Sequence, residues 1–446
     1  MWIYCYKNDF EKFLQEHPSL EPYSDYLILL ETKDAYFLPR YIIKNYPSKY
    51  LQVYQTHSAP HIQFDYNCNI KLRPKQVPAV RTVMNLYKKQ GFVNGIIKAF
   101  PGFGKTVISI YIAHKIGLKT AIIVDSENTM KQWAKSIVKF TDLTSDDIGI
   151  VQGKFCVHKD KPFTLCMINT LISKFKNNFT EYFKKIDEQP FNLVIYDEVH
   201  STSASEKYSK ASLYFRTENI LGLSATPYHY GWQKILMENT IGDLIYNTKD
   251  YDSVPQYYFV YYRSGKQFKQ LFKIEDPIAK RGVYNKNIIK SDQYAEVIVR
   301  ATKWLLEQNH VVIIIVFTVN QLNYISQALT DNGIENRKIY GKQKTFDYDN
   351  DRCLVATYKY AGKAFDFDKL SAGILATPLS GKKSIIQICG RILRKKPDGK
   401  RITPVFMHLI DLDNFHLFVE DVTRTRNIIK QEFGVDTKEF QVKEGE

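Results

Sequence analysis

Residues 99–106 read Ala-Phe-Pro-Gly-Phe-Gly-Lys-Thr, a spacing of glycines, lysine and hydroxyl suited to cradling phosphates. Gly102 and Gly104 would let backbone N–H groups turn toward an anion. Lys105 would reach the β and γ phosphates of ATP, and Thr106 would hold Mg²⁺. The loop starts with Ala99 rather than glycine, a mild departure. Further on stands Asp197-Glu198-Val199-His200. There Asp197 would join the Mg²⁺ shell, Glu198 would orient or deprotonate a water, and His200 would couple this chemistry to neighbouring elements. An acidic pair after a strand is otherwise often just the start of a loop. Ser224-Ala225-Thr226-Pro227 follows, with the hydroxyls of Ser224 and Thr226 placed to sense a γ-phosphate through His200, or else to form a turn or helix cap. Late in the chain Gln387, Gly390, Arg391 and Arg394 fall at i, i+3, i+4 and i+7, one face of a helix that Ser384 would cap. Arg391, with Arg394, is assigned to the γ-phosphate as an arginine finger. The alternative is a solvated basic face, or a nuclear-targeting cluster with Lys395 and Lys396.

These residues need strands and helices to hold them. From about residue 94 apolar strands alternate with helix-length segments, the pattern of an α/β fold with parallel sheets covered on both faces. The first strand is expected at 95–99, and a helix at 106–115 stops at Gly117. Strands follow at 121–124, 165–168, 193–196 and 220–223. The phosphate loop and the acidic pair then both lie at carboxyl ends of strands, where open α/β sheets place ligands. A second series has strands at 311–317, 337–340, 353–356, 373–376 and 405–410, with a helix at 319–329. A tyrosine-rich stretch at 250–262 reads as irregular, and the second series holds no further phosphate loop. The division expected is an accessory region 1–70, an α/β domain 71–245 with the nucleotide motifs, and a second α/β domain 246–446. Within the first 70 residues only runs at 26–31 and 35–43 look strand-like. They suggest a small α+β domain, either a nucleic-acid contact or an extension that packs on the rest.

Composition limits the options. A chain of 446 residues exceeds what one core usually serves, and 44% apolar content argues against disorder. The formal charge of +15, from 62 basic and 47 acidic residues, suits a polyanionic partner, though a basic enzyme without one would also fit. Cys5, Cys68, Cys156, Cys166, Cys353 and Cys389 are scattered without metal-ligand spacing, which points to reduced thiols in a cytoplasmic compartment. The longest apolar run, 311–317, is too short to span a bilayer, and charges at Lys7 and Asp9 leave no signal peptide to expect.

In this order the motifs resemble those of superfamily-two helicases and translocases, over roughly residues 71–411. The resemblance implies two tandem RecA-like domains after a small N-terminal α+β accessory domain. Leu72-Arg73-Pro74-Lys75-Gln76 is similar to the L-R-P-x-Q adenine element of the branch acting on double-stranded DNA, which implies that Gln76 and Arg73 meet adenine. Residues 121–124 with Gln132-Trp133 look like motif Ia, and Asn169-Thr170 like motif Ib, both implied to touch the nucleic-acid backbone. Residues 311–318 look like motif IV. Ala356-Thr357 and Phe365-Asp366 look like motif V, with Thr357 toward the strand and Asp366 toward the nucleotide. Ala364 replaces the usual glycine there, and Tyr228-His229-Tyr230-Gly231-Trp232 stands where relatives often have an arginine and Asp-Gly. Those aromatics would either stack on bases or simply pack.

The nearest likeness is to phage helicases of the UvsW type that act on forked or branched DNA, with XPB-like and RecG-like enzymes more distant. What it implies is an ATP-dependent DNA helicase working with phage replication or recombination proteins, in the host cytoplasm if phage-encoded. A duplex DNA translocase without net unwinding is the alternative, and a nucleic-acid-binding scaffold with a degenerate ATPase belongs to a different class.

Overall fold

The computed structural model describes residues 2–54, 60–202, 209–227, 231–248, 251, 253–341, 347, 349–363, 367, 369–379, 381–393 and 402–442. The chain forms two compact units, Met1–Thr248 and Lys249–Glu446.

The first unit opens with a four-stranded antiparallel sheet: β1 (Trp2–Tyr6), β2 (Leu30–Glu31), β3 (Ala35–Leu38) and β4 (Leu51–Tyr54), in the order β2-β3-β1-β4. Burial alternates along β1, as a two-residue period requires, so Ile3 and Cys5 face a core shared with Phe10 and Phe13 of the helix Lys7–Glu16. The strands expected at 26–31 and 35–43 are shorter. Ser24–Leu27 is a helical turn, and β3 stops at Leu38 because Pro39 has no N–H for the ladder.

This small sheet is fastened to the rest of its unit. Arg40, 7% exposed, donates to the carbonyl oxygens of Ser212 (2.8 Å), Phe215 (2.7 Å) and Thr217. The Tyr41 amide donates to Asn239 O at 2.8 Å, and Tyr26 stacks on Trp232 at 4.4 Å.

The main sheet of the unit comprises β5 (Asn94–Ala99), β6 (Thr120–Val124), β7 (Ile148–Gln152), β8 (Phe155–Val157), β9 (Phe163–Met167), β10 (Leu193–Tyr196), β11 (Ile220–Ser224) and β12 (Leu244–Thr248). Its order is β12-β5-β11-β10-β6-β9-β7-β8, parallel throughout except for the antiparallel β7–β8 hairpin, which no sequence pattern had suggested. Every residue of β6, β9, β10 and β11 is buried, which explains their unbroken apolar runs. Because the strands are parallel, the carboxyl ends of β5, β6, β9, β10 and β11 lie along one edge.

The second unit holds a seven-stranded parallel sheet. Its strands are β13 (Gln256–Tyr262), β14 (Val312–Val316), β15 (Arg337–Ile339), β16 (Cys353–Thr357), β17 (Ala372–Leu375), β18 (Val405–Asp411) and β19 (Lys438–Gln441), in the order β15-β16-β14-β17-β18-β13-β19. The stretch expected to be irregular at 250–262 therefore contains an interior strand. Tyrosine is compatible with that position because its hydroxyl finds partners: Tyr257 with His408 Nδ1 at 3.2 Å, and Tyr262 with the Tyr284 hydroxyl at 3.3 Å. No helix among the described residues is long and apolar enough to cross a membrane.

Candidate nucleotide-binding site

The phosphate loop leaves β5 and enters the helix Lys105–Ile116. Both Gly102 and Gly104 have φ of 89°, a left-handed backbone that favours glycine. At Gly104 the packing is equally strict, since a Cβ there would sit 2.4 Å from Gln76 Nε2. No side chain caps this helix, so its first amides face the loop's concavity, as in sites that take anions. Lys105 Nζ donates to Ala99 O at 3.1 Å, which lays the ammonium across the loop. Phe100 and Phe103 are buried, edge to face at 5.5 Å, and root the loop in the core.

Arg73 and Gln76 reach the same loop from outside. Gln76, 2% exposed, donates from Nε2 to Phe103 O at 2.8 Å and accepts the Arg73 amide at 2.9 Å. Arg73 Nη2 donates to Gly102 O at 3.0 Å and also to Phe103 O. Here the two side chains expected at adenine hold the loop's carbonyls, so they shape the loop as well as flank it.

Asp197 follows β10. Its Oδ1 accepts the Glu198 amide at 3.0 Å, and its Oδ2 accepts the indole N–H of Trp133 at 2.8 Å. Burial pushes the Asp197 carboxyl up, while the Trp133 N–H, the nearby Lys105 charge and the Glu198 amide pull it down. Glu198 has φ of 46°, a left-handed conformation unusual for a residue with a Cβ and frequent at functional sites. From it a polar chain runs across the sheet edge. Glu198 Oε2 lies 3.4 Å from His200 Nδ1, His200 Nδ1 lies 2.7 Å from Ser224 Oγ, and the Thr226 amide donates to Ser224 Oγ at 3.0 Å. The structure thus brings His200, the Ser224 hydroxyl and the Thr226 amide together, joining the ends of β10 and β11.

No group of three or more His, Cys, Asp or Glu able to hold a metal occurs among the described residues. The Asp197 carboxylate and the Thr106 hydroxyl still suit Mg²⁺, which keeps most of its shell as water and nucleotide phosphate.

Two residues expected at nucleic acid are turned inward. Thr170 is buried and accepts the Gly153 amide at 2.9 Å, pinning the tip of the β7–β8 hairpin. Trp133 is 1% exposed and points to Asp197, whereas Gln132 beside it is exposed. In the second unit, Gln387 and Arg391 lie one turn apart on the helix Lys382–Ile392, both half-buried. Gly381, not Ser384, occupies the N-cap of that helix, and Ser384 instead meets the Tyr358 hydroxyl. Thr357 ends β16 and is buried. Arg394, Asp366 and the aromatics 228–230 lie outside the described residues.

Residues 69–229, which carry the phosphate loop, the acidic pair and the Ser-Ala-Thr turn, match the family model described as Type III restriction enzyme, res subunit. A protein described as a helicase, 161L of Invertebrate iridescent virus 6, is 27% identical over 370 residues, which is 76% of this chain and 77% of that one. The chain is similar to helicases of the superfamily-two type. The DNA 3'-5' helicase XPB of Mycobacterium tuberculosis is 29% identical to it over a shorter span, 30% of this chain and 23% of XPB. Among solved structures, S. cerevisiae Dbp5 bound to RNA and ADP BeF3 superposes with a TM-score of 0.55 at 13% identity, over 83% of this chain and 94% of Dbp5. That likeness concerns the fold, and such neighbours are tandem RecA-like helicase domains.

Proposed function

We propose that this chain is an ATP-driven DNA helicase that unwinds or branch-migrates forked and junction DNA. The observation that carries the ATP chemistry is the polar chain Glu198–His200–Ser224 at the sheet edge that also bears the phosphate loop. In this reading Lys105 holds the β and γ phosphates, and Thr106 with Asp197 holds Mg²⁺, which neutralises phosphate charge when bound. Glu198 orients the attacking water, Arg391 with Gln387 and Arg394 stabilises the γ-phosphate, and Asp366 serves the nucleotide. Gln76 and Arg73, already seated on the loop, read adenine and hold the loop in shape. Thr357, buried at the end of β16, serves the strand side, and Thr170 acts through the hairpin tip it pins.

DNA as substrate draws support from the XPB relative, from the likeness of residues 72–76 to the adenine element of double-stranded-DNA motors, and from the +15 charge. A duplex translocase without net unwinding is the second reading. It is favoured by the restriction-enzyme subunit that the family model describes. ATP hydrolysis and strand release, measured together on single-stranded, linear duplex, forked and four-way-junction DNA and on matched RNA, separate these readings. Hydrolysis with strands released from forks or junctions is expected. DNA-stimulated hydrolysis without release would establish the translocase, and stimulation by RNA alone would overturn the DNA assignment.

A further inference from the structure

A buried indole needs an acceptor for its N–H. Trp133 uses Asp197 Oδ2, 2.8 Å away. The other oxygen of that carboxylate takes the amide of the next residue at 3.0 Å, so the group is held from two directions, one local and one from a different element. That element is the helix Glu127–Phe140, which leaves the end of β6 and is capped by Ser126. The strands β6 and β10 are parallel neighbours, and the Asp197 amide donates to Ile123 O at 3.0 Å, so the helix and the carboxylate emerge side by side.

The opposite face of the same helix presents exposed Lys131, Gln132 and Lys135. Its first turn is also tied to the hairpin, since Gln152 Nε2 donates to Glu127 Oε1 at 2.8 Å. Met130, Trp133 and Ile137 form its buried stripe, and of these only Trp133 has a side-chain N–H to donate.

We infer that Trp133 is a positioning residue, tying the outer basic face of this helix to the Asp197 carboxylate so that a strand held on that face is sensed at the nucleotide. The inference rests on the ATP-site reading of Asp197. The indole N–H of a tryptophan that merely fills the core would not respond to ligands at Asp197 or on the outer face, and this difference is what the test reads.

The 446-residue chain labelled with ¹⁵N at its four tryptophans gives one indole N–H signal that disappears in Trp133→Phe. That signal is expected to move when Mg²⁺ and ADP are added, and again with a single-stranded oligothymidylate and no nucleotide. Trp133→Phe keeps an aromatic side chain but loses the N–H donor and part of the indole's volume. It is expected to need about tenfold more Mg²⁺ for half-maximal binding of a fluorescent ADP, and to lose about tenfold of the stimulation of hydrolysis by DNA. Its affinity for the oligonucleotide alone should stay within about twofold. An indole signal that responds to neither addition overturns the inference, whatever the stability of the variant. So does a folded variant with unchanged Mg²⁺ requirement and stimulation. A wild-type chain that hydrolyses no ATP would instead sink the motor reading, and the indole response to Mg²⁺ and ADP would still be read.

Discussion

In the proposed chemistry Glu198 orients the attacking water, and its backbone is left-handed with the carboxylate 3.4 Å from His200 Nδ1. Removing its charge without changing its shape tests that role. Glu198→Gln is expected to lower ATP turnover by at least about a hundredfold while nucleotide binding stays near wild type. Turnover near wild type, measured by phosphate release, would remove Glu198 from the mechanism. Lys119 allows a different test, because it is enclosed among Gln189, His158 and the Phe191 ring. Burial lowers its ammonium from 10.5 to about 8, with Asp160 opposing the shift. Below pH 8 the folded chain carries a charge that burial disfavours. Between pH 8 and 10.5 the unfolded chain binds more protons than the folded one, so this group makes stability rise with pH. Wild type should therefore gain stability relative to Lys119→Met across that window in urea titrations. A constant difference between the two proteins would contradict the buried-ammonium account.

At the scale of elements, the N-terminal sheet is held by one cation against three carbonyls rather than by a broad apolar seam alone. Replacing Arg40 by Met removes the guanidinium donor from the carbonyls of Ser212, Phe215 and Thr217, of which Ser212 O keeps the Phe215 amide at 3.2 Å. The expected loss is about 3 kcal/mol in chemical denaturation. The same three carbonyls sit in the connection that leads into β11, which ends at Ser224. Arg40→Met should therefore also slow ATP hydrolysis in the folded fraction. A variant as stable as wild type would mean that the sheet is held mainly by Tyr26, Trp232 and their neighbours.

For the whole molecule, the excess of 62 basic over 47 acidic residues predicts binding governed by phosphate neutralisation. Affinity for DNA should fall steeply and linearly on a log–log plot against salt, with little dependence on sequence. A flat salt response, read by anisotropy, would contradict it. Arg391→Ala should lower kcat far more than nucleotide affinity if it acts on the γ-phosphate, and an equal loss in both would make it a binding residue.

Much of this protein is legible along the chain because local physics demands particular residues at particular places. A backbone with φ of 89° selects Gly102 and Gly104, and parallel strands buried on both faces select the unbroken runs of β6 and β14. So the loop, the acidic pair, the Ser-Ala-Thr turn and most strands were foreseeable. Only the tertiary structure decided which groups those residues meet. Trp133 finds Asp197 across 64 positions, Thr170 finds Gly153 across 17, and Arg40 finds Thr217 across 177. Those pairings, like the interior place of the tyrosine-rich β13, depend on how strands are ordered in a sheet. Strand order is set by the packing of the whole unit, and no short window of sequence records it.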